Sequence, residues 1–540
     1  MTRAIAVFAS LALSAFAQAA DLLVPGQFPT IQAAANAASD GDRVLISPGT
    51  YAERVVLPQN RSLELIGTDG ATSTIIDARG AGGSGPAVLA QSGVSGVFVA
   101  SGLTVRGDEG YLSLDSAMFL WTYAPGITIL SGDAVIRDCV IEDCTMVDPY
   151  NPDWTAGAGL SMVRGSGELE VVRTTFRNNV AAEGGALFTS GLIRIIDSTF
   201  ENNHGTSRGG AVWNYSQFAI NSIDGCVFTG NTSAGSGGAI DGVFDRITNS
   251  SFIGNTAAGL SIFPKTGGAI RGPIREIINC IFSSNSAAES GGAYFSQTND
   301  TTITSSLFLD NDAPVASVFA GSDAGALIAN CIITLGGSSA PVPPSFGGSI
   351  QYSNVEGGFV GEGNIDADPM IADPGSGDFS LLPGSPCIDA GSNLLVAFDS
   401  DDVNMNGLDL DFYPFDILGN PRFTQDLSAA DTGLTDGRNF VIDMGPIERV
   451  VAVATDGNAD CNGNLTNDLI DIVQGTADDC NNNLIPDSCD IAADPSLDIN
   501  SDGIIDACQN LCPADIAAPF GQLNFFDVVQ FINWFNAGCP

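Results

Sequence analysis

Apolar and polar residues alternate along much of the chain in short runs, as in LIRIIDSTF from Leu192 to Phe200, and Gly, Asn, Asp or Ser punctuates each run. Alternation of this kind marks strands with one buried face, and the runs are too short for paired helices. The pattern returns every 24 to 30 residues. Phe-x-x-Asn stands at Phe176/Asn179, Phe200/Asn203, Phe228/Asn231, Phe252/Asn255, Phe282/Asn285 and Phe308/Asn311, and Gly-Gly-Ala begins at Gly184, Gly209, Gly237, Gly267 and Gly291. A repeat of this length made only of strands and turns predicts an all-β fold, a right-handed parallel β-helix solenoid.

In such a solenoid equivalent residues lie one strand spacing apart, roughly 4.8 Å, and form columns. The Phe column is expected to stack in the core. The Asn column is expected to form an amide ladder at a turn, satisfying its own members and backbone groups that would otherwise be buried unpaired. The two glycines would supply backbone angles or close approaches that a Cβ forbids. Two residues before each Phe come Thr174, Ser198, Cys226, Ser250, Cys280 and Ser306, and Cys331 opens the next coil. These side chains are expected to fill an inward line, the thiols acting as small apolar groups. Cys226 and Cys280 would then lie two rungs apart, about 10 Å from the strand spacing. That is too far for a disulfide, so both thiols are expected to be free.

Arg3, the apolar run Ala4 to Phe16, and Ala17-Gln18-Ala19 predict a signal peptide over 1–19. No later stretch is long and apolar enough for a membrane helix, so an exported protein without membrane insertion is expected. The solenoid is expected over 20–395, with 20–60 as its N-terminal cap and first coil. There Thr30 can cap a short helix whose Ile31, Ala34 and Ala35 face inward, followed by the strand VLISPG.

The segment TIQAAANAASDGDRVLISPGTY resembles the N-terminal coil of the pectate-lyase and pectin-esterase superfamily of right-handed β-helices. The paired Phe-x-x-Asn and Gly-Gly-Ala motifs resemble the repeat of polymorphic outer-membrane proteins, autotransported adhesins. Together the resemblances cover roughly residues 20 to 390 and imply the fold. The chain departs from both groups: no run of ten-residue alternating strands for a membrane barrel follows, and no motif announces the carboxylate cluster and basic residue of the lyases.

An acidic irregular region is expected over 396–454, and three 19-residue repeats over 455–511. DCNGNLTND, DCNNNLIPD and DINSDGIID place oxygen side chains at loop positions 1, 3, 5 and 9. The ligand positions are Asp460, Asn462, Asn464 and Asp468, then Asp479, Asn481, Asn483 and Asp487, then Asp498, Asn500, Asp502 and Asp506. Oxygens so spaced suit a hard cation, and Ca2+ is the expected cofactor. No Lys or Arg follows Arg449 to neutralise this acidic tail. The repeats resemble thrombospondin type 3 and dockerin calcium loops. The simplest cysteine pairing is Cys461 with Cys480, Cys489 with Cys508 and Cys512 with Cys539, although spacing alone leaves connectivity open. Residues 512–540 are expected to hold a loop and a short amphipathic helix with Phe525, Val528, Val529, Ile532 and Phe535 on one face. This segment resembles one half of a dockerin, which implies a possible protein partner.

The chain carries 19 Lys and Arg against 62 Asp and Glu, a net charge of −43, with Lys265 its only lysine. That balance excludes nucleic acid as a partner. His204 is the sole histidine, which excludes multi-histidine metal sites. After each Gly-Gly-Ala an apolar residue (Leu187, Val212, Ile240, Ile270, Tyr294) is expected to point inward, so the next points outward. That outward line reads Phe188, Trp213, Asp241, Arg271 and Phe295, with Lys265 nearby in the insertion LSIFPK. Aromatic faces beside a charge pair are the chemistry of sugar binding. A second cluster comprises Trp121, Tyr123, Tyr150 and Trp154 near Asp108, Asp148 and Asp153, on two long insertions expected to cover an apolar edge. The expectation is an exported bacterial protein, secreted or at the cell surface, that binds a polysaccharide, a surface glycan or a protein without catalysis. The alternative is a secreted polysaccharide-active enzyme, a lyase of the pectate type or a glycoside hydrolase. No motif singles out catalytic residues.

Overall fold

The alternating runs form strands because each satisfies its backbone against the equivalent run one coil away. The computed structural model describes residues 19–498 apart from 83–84, 92, 94–95, 109–110, 115–119, 147–154, 164–166, 217–220, 299, 322–324, 338–339, 399–412, 414, 425, 427–428, 437–440, 450–476 and 479–485, and beyond 498 describes residue 505 alone. Among the described residues, parallel strands make sheets of 13, 12, 10 and 5 strands. One coil contributes a strand to each in turn: Leu192–Ile196, Thr199–Glu201, His204–Arg208 and Val212–Asn214. The fold is the right-handed parallel β-helix expected from the repeat.

Three inward columns make the core. In the 13-stranded sheet, Ile195, Ile223, Ile247, Ile277, Ile303 and Ile328 occupy successive rungs. In the 12-stranded sheet the Phe residues from Phe176 to Phe308 stack with centroids 4.7 to 4.9 Å apart and planes within 5° of parallel. In the 10-stranded sheet Leu187, Val212, Ile240, Ile270 and Tyr294 are all fully buried.

The Asn ladder saturates the carboxamides of its inner rungs. Asn231 Nδ2 donates to the Phe200 carbonyl and to Asn255 Oδ1, while its Oδ1 accepts from Asn203 N–H and Nδ2, at 2.9 to 3.0 Å. Two donors and two lone pairs are used inside the core with no water. The column of Thr174, Ser198, Cys226, Ser250, Cys280, Ser306 and Cys331 differs from expectation. It is a second hydrogen-bond ladder rather than apolar filler. Cys226 N–H donates to Ser250 Oγ at 3.0 Å, and Cys226 Sγ–H donates to the Asp224 carbonyl two residues back. Ser250 and Ser306 make the same local bond. The physical reason lies at the preceding residue, which turns the chain with positive φ (Asp197, Gly225, Asn249, Asn279) and brings the next side chain back onto the carbonyl two residues before it, as a second donor beside the N–H of the preceding coil. The thiols of Cys139, Cys144, Cys226 and Cys280 are free and buried, as expected for Cys226 and Cys280.

Both glycine roles are observed at one corner. Gly237 adopts φ +61°, and a Cβ on Gly238 would fall 1.9 Å from the Gly268 carbonyl oxygen. At the N-terminus, α1 (Ile31–Ala37) is capped by Thr30, whose hydroxyl accepts from Ala33 N–H, and it buries Ile31, Ala34 and Ala35. Glu53 adds a cap that the sequence did not announce, accepting from Ile31 N–H at 2.9 Å and Gln32 N–H at 3.0 Å.

Residues 368–540 form a separate compact unit. It opens on the antiparallel pair Ile371–Asp373 and Asp378–Leu381. Its described interior mixes apolar residues such as Ile388, Val441 and Ile442 with a buried charge network, in which the fully buried Arg422 meets Glu448 at 3.2 Å. Glu448 accepts from Asp443 N–H, and Asp443 accepts from Asp389 N–H and Arg449 N–H. Near the end of the described chain lies α2 (Asp487–Ala493).

Candidate functional site

The 10-stranded sheet brings the expected outward line together. Phe188 pairs in register with Trp213, Trp213 with Asp241, Asp241 with Arg271, and Arg271 with Phe295, one rung at a time. The Phe188 and Trp213 rings lie 4.8 Å apart at 30°. Tyr215, which is 61% exposed, extends this aromatic surface with its ring 5.6 Å from Trp213. Phe188, Trp213 and Phe295 are each partly exposed.

Asp241 departs from expectation. It stands on the outward line yet is only 5% exposed. Arg271 Nη1 reaches both of its carboxylate oxygens, at 3.2 and 3.0 Å, and Ser236 Oγ donates to Oδ2 at 2.5 Å. The guanidinium of the next coil therefore covers the carboxylate of the one before. Lys265 also lies off the line: its Nζ is 3.6 Å from Glu289 Oε1.

Residues that sequence reasoning missed form the corner beside this line. Arg208 pairs with Glu183 at 2.9 Å. Its guanidinium lies over two rings, Trp213 at 5.0 Å and Phe263 at 4.4 Å. Phe263 comes from the insertion that also holds Lys265, so the insertion is docked through Arg208 onto the aromatic surface. Leu260 and Ile262 of the same insertion are almost fully exposed. A signal was available, because Glu183, Arg208 and Ser236 each directly precede a Gly-Gly pair. Glu183, Arg208 and Ser236 thus occupy successive rungs of a second outward column.

The family model of the Chlamydia polymorphic membrane protein repeat matches residues 197–215 and 225–242, the two coils that carry Trp213 and Asp241. The chain is similar to that repeat over these coils. No curated protein sequence matches it. Among solved structures, a pectin methylesterase mutant in complex with a hexasaccharide matches at 13% identity over 67% of this chain and 98% of that chain, with a TM-score of 0.20. A superposition that loose carries no argument about the site.

His204 sits on the five-stranded sheet, with Nδ1 2.8 Å from Thr232 Oγ1, and burial holds its pKa below the usual histidine range. Of the second cluster, Asp108 pairs with Arg54 at 2.8 Å. Trp121 and Tyr123 belong to Leu120–Tyr123, which pairs antiparallel with Tyr111–Leu114. Asp148, Tyr150, Asp153 and Trp154 lie outside the described residues.

Of the twelve calcium-ligand positions only Asp487 and Asp498 are described, and both are buried. Asp487 opens α2, and its N–H donates to the Asp478 carbonyl at 2.7 Å, so the residues bracketing the second loop meet. Each of the three cysteine pairings includes at least one residue outside the described ones, as does the helical face from Phe525 to Phe535. Among the described residues no helix is long and apolar enough to cross a membrane, which says nothing of a β-barrel.

Proposed function

We propose that this is an exported, non-catalytic glycan-binding protein, secreted or held at the cell surface, whose solenoid binds a saccharide along the line from Phe188 to Phe295. The observation that carries this reading is the aromatic surface of Phe188, Trp213 and the exposed Tyr215 beside the Asp241–Arg271 pair. Ring faces accept the apolar faces of sugars, and a charge pair beside them offers donors and acceptors to hydroxyls. Asp241 is occupied by two donors, a state that suits a fixed hydrogen-bonding group better than a proton carrier. The signal-like residues 1–19 and the similarity to a repeat named for membrane proteins support export. Trp213→Ala should weaken glycan capture on an array by about tenfold, the loss of roughly one ring stack. Unchanged capture by that variant would remove the reading.

The tail is proposed to hold calcium in its three loops. Fixed 19-residue register, oxygen side chains at positions 1, 3, 5 and 9, and the hydrogen bond from Asp487 N–H to the Asp478 carbonyl support this. The ligands would be the carboxylates and amides from Asp460 to Asp506 named above, and the ion would neutralise a segment with no cation of its own. Chelation should lower the melting temperature of residues 368–540 alone. Calorimetry showing one unchanged transition with and without chelator would refute it.

A further inference from the structure

We infer that the ligand of this face is an uncharged glycan of equatorially substituted sugars, such as a β-linked glucan or xylan, rather than an acidic polysaccharide. The inference rests on the glycan-binding reading and names the class of ligand. Every cation that reaches the face already has a carboxylate: Arg208 has Glu183 at 2.9 Å, Arg271 has Asp241 at 3.0 Å, and Lys265 has Glu289 at 3.6 Å. Three positive groups and three negative ones leave the face without the net positive charge a polyanion requires. The surroundings add to this. A chain of net charge −43 repels a polyuronate at long range, and the loop cation nearest the face is the only lysine it has.

Arg208 is further committed. The Trp213 ring lies 5.0 Å and the Phe263 ring 4.4 Å from its guanidinium carbon, and Glu183 pairs with its charge. A ligand carboxylate would have to break that ion pair and would leave Glu183 with a like-charged neighbour. What the face leaves open is apolar and aromatic: Tyr215 is 61% exposed, Ile262 is 88% exposed, and Phe188 and Trp213 are partly exposed beside them. A pyranose whose hydroxyls are all equatorial presents two apolar faces to such rings, and its hydroxyls need neutral or zwitterionic partners. The Asp241–Arg271 pair supplies them without demanding a charge in return.

Titration calorimetry on the full chain, in calcium-containing buffer with low or high sodium chloride, tests this with cellohexaose, xylohexaose and hexagalacturonate. A neutral hexasaccharide should bind with an affinity that salt leaves within about twofold. Trp213→Ala should weaken it about tenfold. Tyr215→Ala, at a well-exposed position, should weaken it several-fold and serves if the tryptophan variant does not fold. Tighter binding of hexagalacturonate that falls as salt rises would overturn the inference while leaving a glycan-binding face intact. Binding of none of the three by the unaltered chain would remove both. Neutral binding that survives both substitutions would place the ligand elsewhere and overturn the inference too.

Discussion

At the residue scale, the two turn ladders separate chemistry that is replaceable from chemistry that is not. Asn231 uses its whole carboxamide between Phe200, Asn203 and Asn255. No other side chain of its size offers two donors and two acceptors in one plane, so all six positions carry Asn. Asn231→Ala leaves several buried groups unpaired and should cost at least about 2 kcal/mol, since each orphaned group costs about 1 to 3 kcal/mol. Cys226→Ser should cost less than about 1 kcal/mol, because Ser250 makes the same bond to its own i−2 carbonyl. Urea titration of the two variants side by side checks the contrast, and comparable destabilisation would refute it. Burial also pushes the Cys280 thiol up to about 12, which accounts for a thiol that remains free while enclosed in the core.

At the scale of the element, the five Gly-Gly-Ala corners before the 10-stranded sheet are each built by two closely packed glycines. A side chain at Gly237 meets a left-handed backbone, a cost of about 1 to 2 kcal/mol, and also runs into the Ile240 carbonyl of its own turn. A side chain at Gly238 meets the carbonyl of Gly268 in the next coil, which cannot move without parting the ladder. Gly237→Ala and Gly238→Ala should therefore each destabilise the solenoid by more than the about 1 to 2 kcal/mol of backbone strain alone, by denaturant titration, and a smaller loss at either position would refute the close approach there. The same close packing serves the site. Because coils cannot spread at this corner, the residue before each glycine pair and the second residue after Ala are held on fixed rungs, which brings Arg208 under Trp213. An insertion between Ala257 and Thr266 is accommodated without disturbing the register of Ile270 with Ile240.

At the scale of the whole molecule, the two units respond to pH in opposite senses. In the second unit burial pushes Asp443 up to about 7, burial and the neighbouring Asp431 push Asp389 up to about 7, and burial raises Glu448. A carboxyl whose folded pKa is raised contributes stability that is present below its unfolded pKa and is lost as pH rises through the folded value. In the solenoid burial acts to raise Glu142, but the Arg106 and Arg177 guanidiniums outweigh it and hold the group below the carboxylate range. Its contribution is present at neutral pH and is lost on acidification. Lowering the pH from 8 to 5 should raise the melting temperature of residues 368–540 and leave that of the solenoid nearly unchanged. Two calorimetric transitions moving together would refute this.

The coil length, the Phe and Asn columns, the free thiols, the Thr30 cap and the outward line from Phe188 to Phe295 were all legible in the sequence. A parallel coil turns sequence period directly into contact, so identity at fixed spacing is equivalent to position on a column. Packing across a corner has no such period. That Asp241 is covered, that Arg208 lies over the Trp213 and Phe263 rings, and that each cation of the face is already paired depend on side chains from different columns and from an insertion of irregular length. The buried Arg422–Glu448 pair belongs to the same class, since nothing in its spacing marks it. Period set the columns of this protein, and only the meeting of neighbouring columns decided what its surface can bind.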